Sequence, residues 1–85
     1  MVKVMTRFFA LYRERAGTDS LQVALDDGAC VSDLVRHLAR RYPHLTPDPD
    51  AMVVAVNQEY VQHDHALRNG DEVAFIPPLS GGSYD

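Results

Sequence analysis

The 85-residue sequence predicts an α+β fold, a β-grasp roll in which one main helix packs on a mixed sheet of four to five strands. Three observations carry this. Residues 31–42 hold one strong apolar stripe at helical spacing. Short segments of alternating or β-branched character surround it in the order strand, strand, helix, strand, short strand, strand. Nothing but one face of a sheet can bury a lone helix's stripe in so short a chain.

The first strand runs from Val2 to Phe9. Val4, Thr6 and Phe8 share the parity of a core face, and Lys3, Met5, Arg7 and Phe9 share the other. Met5 and Phe9 are therefore apolar groups on the outer face. Ala10 to Gly17 reads as a short helical turn closed by Gly17. Leu21, Val23 and Leu25 alternate with Gln22, Ala24 and Asp26, which is a half-buried strand, and Asp27-Gly28 is a turn.

Val31, Leu34, Val35, Leu38 and Tyr42 form the helical stripe. Asp33 in the first turn and Arg40 and Arg41 in the last suit the helix dipole, and Pro43 stops the helix. If Ser32 caps the start, Val31 falls outside the helix; if Cys30 does, the cap is a poor one. Pro43 to Asp50, with its three prolines, is a loop. Met52 to Val56 is a strand buried on most sides, Asn57-Gln58-Glu59 a turn, and Tyr60-Val61 a brief edge strand. Asn69-Gly70 signals a tight turn. Glu72 to Ile76 is the last strand, with Val73 and Phe75 on one face and Ala74 and Ile76 on the other. Pro77-Pro78 ends it by removing two backbone donors. Residues 1–78 are then one domain, and 79–85 a flexible tail without periodicity.

Composition excludes several functions. Twelve acids against eight bases leave a formal charge of −4, which argues against a nucleic-acid partner. The longest apolar run, Ala51 to Val56, is far too short for a membrane span, and the N-terminal residues lack the apolar stretch of a signal peptide. One cysteine cannot form an internal disulfide, so a cytoplasmic protein is expected.

The body carries no expected active site. His63-Asp64-His65 falls short of a three- or four-ligand metal site and reads as a solvated polar loop. His37 and His44 are expected to face solvent. Cys30 has no neighbouring base in sequence and reads as a small, part-buried residue. Asp26-Asp27 and Asp48-Pro49-Asp50 read as turn formers rather than paired acids. Gly81-Gly82 lacks the strand-then-helix setting of a phosphate loop. Folding leaves two features unexplained: that glycine pair, and the outer-face apolar groups Met5, Phe9, Tyr60 and Ile76.

Four stretches carry a resemblance to a family. They are Arg7-Phe8-Phe9-Ala10 with Arg13-Glu14 and Ala16-Gly17-Thr18-Asp19; Val56-Asn57-Gln58; Asp64-His65-x-Leu67 with Gly70-Asp71-Glu72-Val73-Ala74-Phe75; and Pro77-Pro78-x-x-Gly81-Gly82. Over residues 2 to 82 the chain resembles the small subunit of molybdopterin synthase, a ubiquitin-like sulfur carrier. The resemblance implies that Gly82 bears the thiocarboxylate and that Leu79, Ser80 and Gly81 form a tail threading into a partner. It implies that Pro77 and Pro78 stiffen the tail's root, that Phe9, Tyr60 and Ile76 dock the partner, and that Arg13 makes polar contacts.

The implied partners are the large synthase subunit, in a heterotetramer of two small and two large subunits, an adenylyltransferase that activates the tail, and a persulfide sulfur donor. Neither nucleic acid nor membrane is among them. The carrier supplies no acid, base or metal and is not an enzyme on its own. It holds no tightly bound cofactor, and ATP is consumed by the activating partner. Sulfur goes to a cyclic pyranopterin monophosphate, the precursor of molybdopterin.

Ser83-Tyr84-Asp85 depart from the family's Gly-Gly ending, and the carrier chemistry requires their removal. Four origins stay open: proteolytic trimming, fusion to a following large subunit, an addition from cloning, or a relative that binds partners without carrying sulfur. The first two are favoured. Rival functions are a sulfur carrier for thiamine or cysteine biosynthesis, a ubiquitin-like protein modifier, and a plain interaction module.

Overall fold

The structure, a computed structural model, describes residues 1–77. It has five strands, β1 (Val2–Phe8), β2 (Ser20–Leu25), β3 (Val53–Val56), β4 (Glu59–Val61) and β5 (Glu72–Ile76), and two α-helices, α1 (Leu11–Ala16) and α2 (Val31–Arg41). The sheet order is β2-β1-β5-β3-β4. β1 and β5 are parallel, and the other neighbours are antiparallel. This is the expected mixed sheet, with all five strands present. No helix among the described residues is long and apolar enough to cross a membrane.

Strict alternation sets β1: Val2, Val4, Thr6 and Phe8 are buried and the residues between them are exposed. In β5, Val73 and Phe75 are fully buried. The stripe of α2 closes over this face, with Val31, Leu34, Val35 and Leu38 all buried. Phe8 ties the layers together. Its ring stacks on Phe75 with centroids 6.2 Å apart and meets Tyr42 edge-on at 5.9 Å. Thr6 is fully buried as well, and its hydroxyl has no hydrogen-bond partner among the described residues.

Cys30 is the residue that caps α2. A thiol is a weak cap, but the helix start is satisfied from two other directions. Asp33 reaches back so that its Oδ2 accepts from the Cys30 backbone N–H at 2.9 Å, the return half of a capping box. The carbonyls of His65 and His63 accept from the N–H groups of Val31 (2.9 Å) and Ser32 (2.8 Å). The loop at 63–65 is therefore more than the solvated segment expected. Its backbone closes the helix N-terminus, and His63 is half-buried, with its ring Nε2 2.8 Å from the Met52 carbonyl.

The Cys30 backbone N–H, then its thiol, then the Arg36 guanidinium hold the Asp33 carboxyl below its ordinary value of 3.8. A depressed carboxyl contributes stability fully above its unfolded-state value and loses it as pH falls through the lower folded-state value. Asp33→Asn is accordingly expected to lower the urea midpoint modestly at neutral pH. The gap to the parent chain should close on acidification below the ordinary carboxylate range. A gap that stays constant with pH would contradict this role.

Several boundaries differ from expectation, each for a local reason. The loop before β3 contains a 3-10 turn at Pro49–Ala51, for which Pro49 supplies the fixed φ of a first helical position. Met52 is buried but precedes the strand. The β3–β4 turn consists of Asn57 and Gln58 alone, at φ +51° and +73°, and Glu59 already pairs with Val56. Two left-handed residues in succession suit a two-residue hairpin. The Asn57 side chain holds it in place, donating to Asp71 Oδ1 at 2.9 Å and accepting from the Glu72 backbone N–H at 3.0 Å. The turn at Asn69-Gly70 docks on β1, where Asn69 Oδ1 accepts from the Lys3 N–H (2.9 Å) and the Gly70 N–H donates to the Lys3 carbonyl (2.8 Å). His37 is half-buried on α2, against expectation, while His44 is exposed.

Candidate functional site

The sheet register assembles a face that no single segment shows. Ser20, Arg7, Ala74, Ala55 and Tyr60 are partners in one row across all five strands. Their neighbours Thr6, Val73 and Val54 point into the core, so this row lies on the outer face. The next row along holds Val53 paired with Ile76. Phe9 and Ile76 are the residues that follow the last β1–β5 pair, Phe8–Phe75, on their two parallel strands.

Two alanines thus form the floor of a shallow apolar patch. Phe9 (45% exposed), Val53 (36%) and Tyr60 (73%) stand around it with the half-buried Ile76. The ion pair between Arg7 and Glu72 borders the patch on the β1 side. Met5, partnered with Glu72, lies one row further from the end of β5 and is also exposed. Ala10 stands next to Phe9 at φ +51°, a conformation that costs an L-residue about 1–3 kcal/mol.

The structure brings together three of the expected docking residues, Phe9, Tyr60 and Ile76. Pro77 follows Ile76 directly, so the last described residue adjoins the patch. Pro78, Leu79, Ser80, Gly81 and Gly82 lie outside the described residues. Arg13 is exposed on α1 and takes no part in the ion pairs found among the described residues.

Sequence reasoning missed Val53 and the alanine floor. Val53 sits in a continuous apolar run, which has no alternation to say which residue turns outward. Ala55 is as buried as core residues such as Val2 and Leu25, yet it is no part of the core cluster. The only available signal is the cross-strand register, a long-range property.

The rest of the surface offers little chemistry. No group of three or more His, Cys, Asp or Glu that could hold a metal occurs among the described residues. Cys30 is half-buried with its Sγ 3.0 Å from Ser32 Oγ, and no histidine is among its hydrogen-bond partners. What the arrangement can do is present an apolar face to another protein.

Comparison with known proteins agrees with this geometry. The ThiS family matches residues 6–82. The chain is 44% identical over 84 residues to the molybdopterin synthase sulfur carrier subunit of Escherichia coli (strain K12), covering 96% of this chain and 100% of that protein. Among solved structures, one described as molybdopterin converting factor subunit 1 from Pyrococcus furiosus superposes with a TM-score of 0.84 at 36% identity, covering 93% of this chain and 100% of that one. The small archaeal modifier protein 1 of H. volcanii gives 0.82 at 29% identity, covering 93% and 100%. The five-stranded sheet with its single long helix and these full-length similarities agree: the chain belongs to the ThiS family of ubiquitin-like carriers, in the group of molybdopterin synthase sulfur carrier subunits.

Proposed function

We propose that this chain carries sulfur as a thiocarboxylate on Gly82 and donates it, within molybdopterin synthase, to a cyclic pyranopterin monophosphate. The observation that carries this reading is the apolar outer face at Phe9, Val53, Tyr60 and Ile76, which ends at Pro77, the root of a tail bearing Gly81-Gly82. A patch of this kind beside a glycine-ended tail suits docking followed by threading.

The chemistry needs activation first. A carboxylate is a poor electrophile. Its oxygen attacks the α-phosphorus of ATP in the activating adenylyltransferase, and pyrophosphate leaves. A persulfide sulfur then attacks the acyl carbon and expels AMP, and a thiol cleaves the resulting S–S bond to leave the thiocarboxylate. Ionised at neutral pH, this is a strong sulfur nucleophile. The carrier's contribution is to hold the sulfur at high effective concentration in the large subunit's site. The work is cytoplasmic, no tightly bound cofactor belongs to the carrier itself, and residues 83–85 must be removed before Gly82 can react.

Docking is open to test. Ile76 faces outward but is half-buried, so Ile76→Asp is expected to cost about 1–2 kcal/mol of stability, less than a core truncation. It should weaken binding to the large subunit by about 2 kcal/mol, roughly thirtyfold, in a calorimetric titration. Unchanged affinity would place the interface elsewhere.

One comparison favours a second reading. The similarity to an archaeal modifier protein fits a chain joined through Gly82 to lysine side chains of other proteins. Intact mass from the native cell separates the two. A species ending at Gly82 with one oxygen replaced by sulfur supports the carrier. Higher-mass adducts with an isopeptide bond support the modifier. A chain that always retains residues 83–85 rules out both and leaves an interaction module.

A further inference from the structure

The two edges of the sheet are built differently. β4 is three residues long and carries a charge, Glu59. β2 is six residues long and has no charged residue, proline, glycine or bulge along its pairing with β1. It lacks the devices by which edge strands ordinarily avoid pairing. The ladder fixes where its backbone groups point. The Phe8 N–H donates to the Asp19 carbonyl at 3.0 Å, so the odd-numbered residues of β2 are the ones bonded to β1. The N–H and C=O groups of Ser20, Gln22 and Ala24 point the other way, out from the edge. Ser20 is already satisfied. Its carbonyl accepts from the Thr18 hydroxyl at 2.9 Å, and its N–H donates to the same oxygen at 3.4 Å. Past the strand, the Asp26 carbonyl accepts from the Ala29 N–H at 3.1 Å. Gln22 and Ala24 are left, and neither their N–H nor their C=O groups have a partner among the described residues.

Beside this edge lies a groove of about 530 Å³, between Ala24 and Leu25 of β2, the turn that follows them, and α2. Its charges are ordered. Asp26, Asp27 and Asp33 stand at the end by the turn, and Arg36, His37 and Arg40 follow along the helix. Asp27 is 3.1 Å from the N-terminal amine, and Asp33 is 2.8 Å from Arg36. Asp26 and Arg40 take part in no ion pair among the described residues. Arg40 lies about 10 Å beyond Asp33 along the helix axis. The groove therefore has an acidic end and a basic end.

We propose that β2 is a self-pairing edge, at which two copies of this chain join as antiparallel strands about a two-fold axis at Val23. Gln22 of each copy then pairs with Ala24 of the other, which satisfies all the free backbone groups at once. Moving the axis one residue either way would spend them on Ser20 or Asp26, whose carbonyls are already taken. The same axis reverses the polarity of the groove, so the acidic end of one copy meets the basic end of the other. A two-fold contact requires such self-complementarity. Charges placed in this way fix register more than they add affinity. With only two residues of each strand in the ladder, the association is weak and belongs to high concentration. The axis stands perpendicular to the sheet. Both outer faces therefore lie on one side of the joined sheets and stay open to a partner. The pairing is independent of what the outer face and the tail do.

Amide hydrogen exchange of the full chain, read by nuclear magnetic resonance from millimolar to micromolar concentration, tests this. At the high end the Gln22 and Ala24 amides should exchange at least about threefold more slowly than at the low end. The Val23 and Leu25 amides, bonded to β1, should keep their protection throughout and serve as the control. Sedimentation should show monomer and dimer exchanging over the same range. Ala24→Pro removes an outward N–H at a place where an edge strand tolerates it. It should abolish the association and leave the far-ultraviolet circular dichroism unchanged. Asp26→Arg gives a second check at an exposed turn residue that no strand pairing uses. It should weaken the association by about threefold, and adding Arg40→Asp should restore it. A double variant that associates no better than Asp26→Arg alone would overturn the two-fold arrangement. A chain that stays monomeric at millimolar concentration would overturn the proposal. So would protection that survives dilution, because the edge would then be covered within one chain. An association abolished by Ile76→Asp would overturn it too, since the contact would then lie on the outer face.

Discussion

Replacing Gly82 with Ala is expected to leave the urea midpoint unchanged and to cut molybdopterin formation in a reconstituted synthase by at least about a hundredfold. Gly82 follows the last strand by six residues and adds no side chain to the core. What it offers is the lack of a Cβ, which lets a chain end pass a narrow channel in backbone conformations closed to other residues. A methyl group there displaces the reacting carbonyl, and a misplacement of about 1 Å costs on the order of a hundredfold in a reaction that depends on positioning. The same substitution should leave Ile76-dependent binding to the large subunit detectable, which separates loss of chemistry from loss of docking. An unaffected yield of molybdopterin would remove the sulfur-carrier reading outright.

Local pattern made most of the fold legible. The alternation in β1, the stripe on α2 and the parity of β5 are each visible within a few residues, and each element stands where that pattern puts it. The features that escaped are those fixed by distant parts of the chain. Cys30 caps α2 adequately only because the His63 and His65 carbonyls arrive from a loop more than thirty residues away. The half-burial of His63 follows from its contact with Met52, which no spacing announces. Asn57 at positive φ is a turn signal in itself, but its grip on Asp71 and Glu72 depends on how β3 and β5 are placed.

The apolar outer face divides in the same way. Phe9, Tyr60 and Ile76 were legible because an apolar residue at an outward position needs a reason. Val53 was hidden in an unbroken apolar run. The alanine floor was hidden because small residues carry no signal until register sets Ala55 beside Ala74. Their small size matters: with larger residues there, the patch would bulge instead of lying shallow.

The alternation of β5 also predicts the largest effect on stability. Phe75 is fully buried, stacks on Phe8 and partners Val54 across the sheet. Phe75→Ala removes a ring that the strand and helix layers cannot close over, at a cost of about 3–5 kcal/mol. A chain of this length holds only about 4–13 kcal/mol in total at roughly 0.05–0.15 kcal/mol per residue. The variant is therefore expected to lose from a quarter of its stability to all of it, read as a large drop in the urea midpoint by far-ultraviolet circular dichroism. Its immediate neighbour gives the control: Ile76→Asp, on the outer face, should lower that midpoint far less. If both variants fell equally, Ile76 would be part of the core and the outer face would not be a free surface. If neither fell, the Phe8–Phe75 stack would not be what joins the parallel strands. The inward residues of β5 hold the domain together, and its outward residues build the apolar outer face of the sheet.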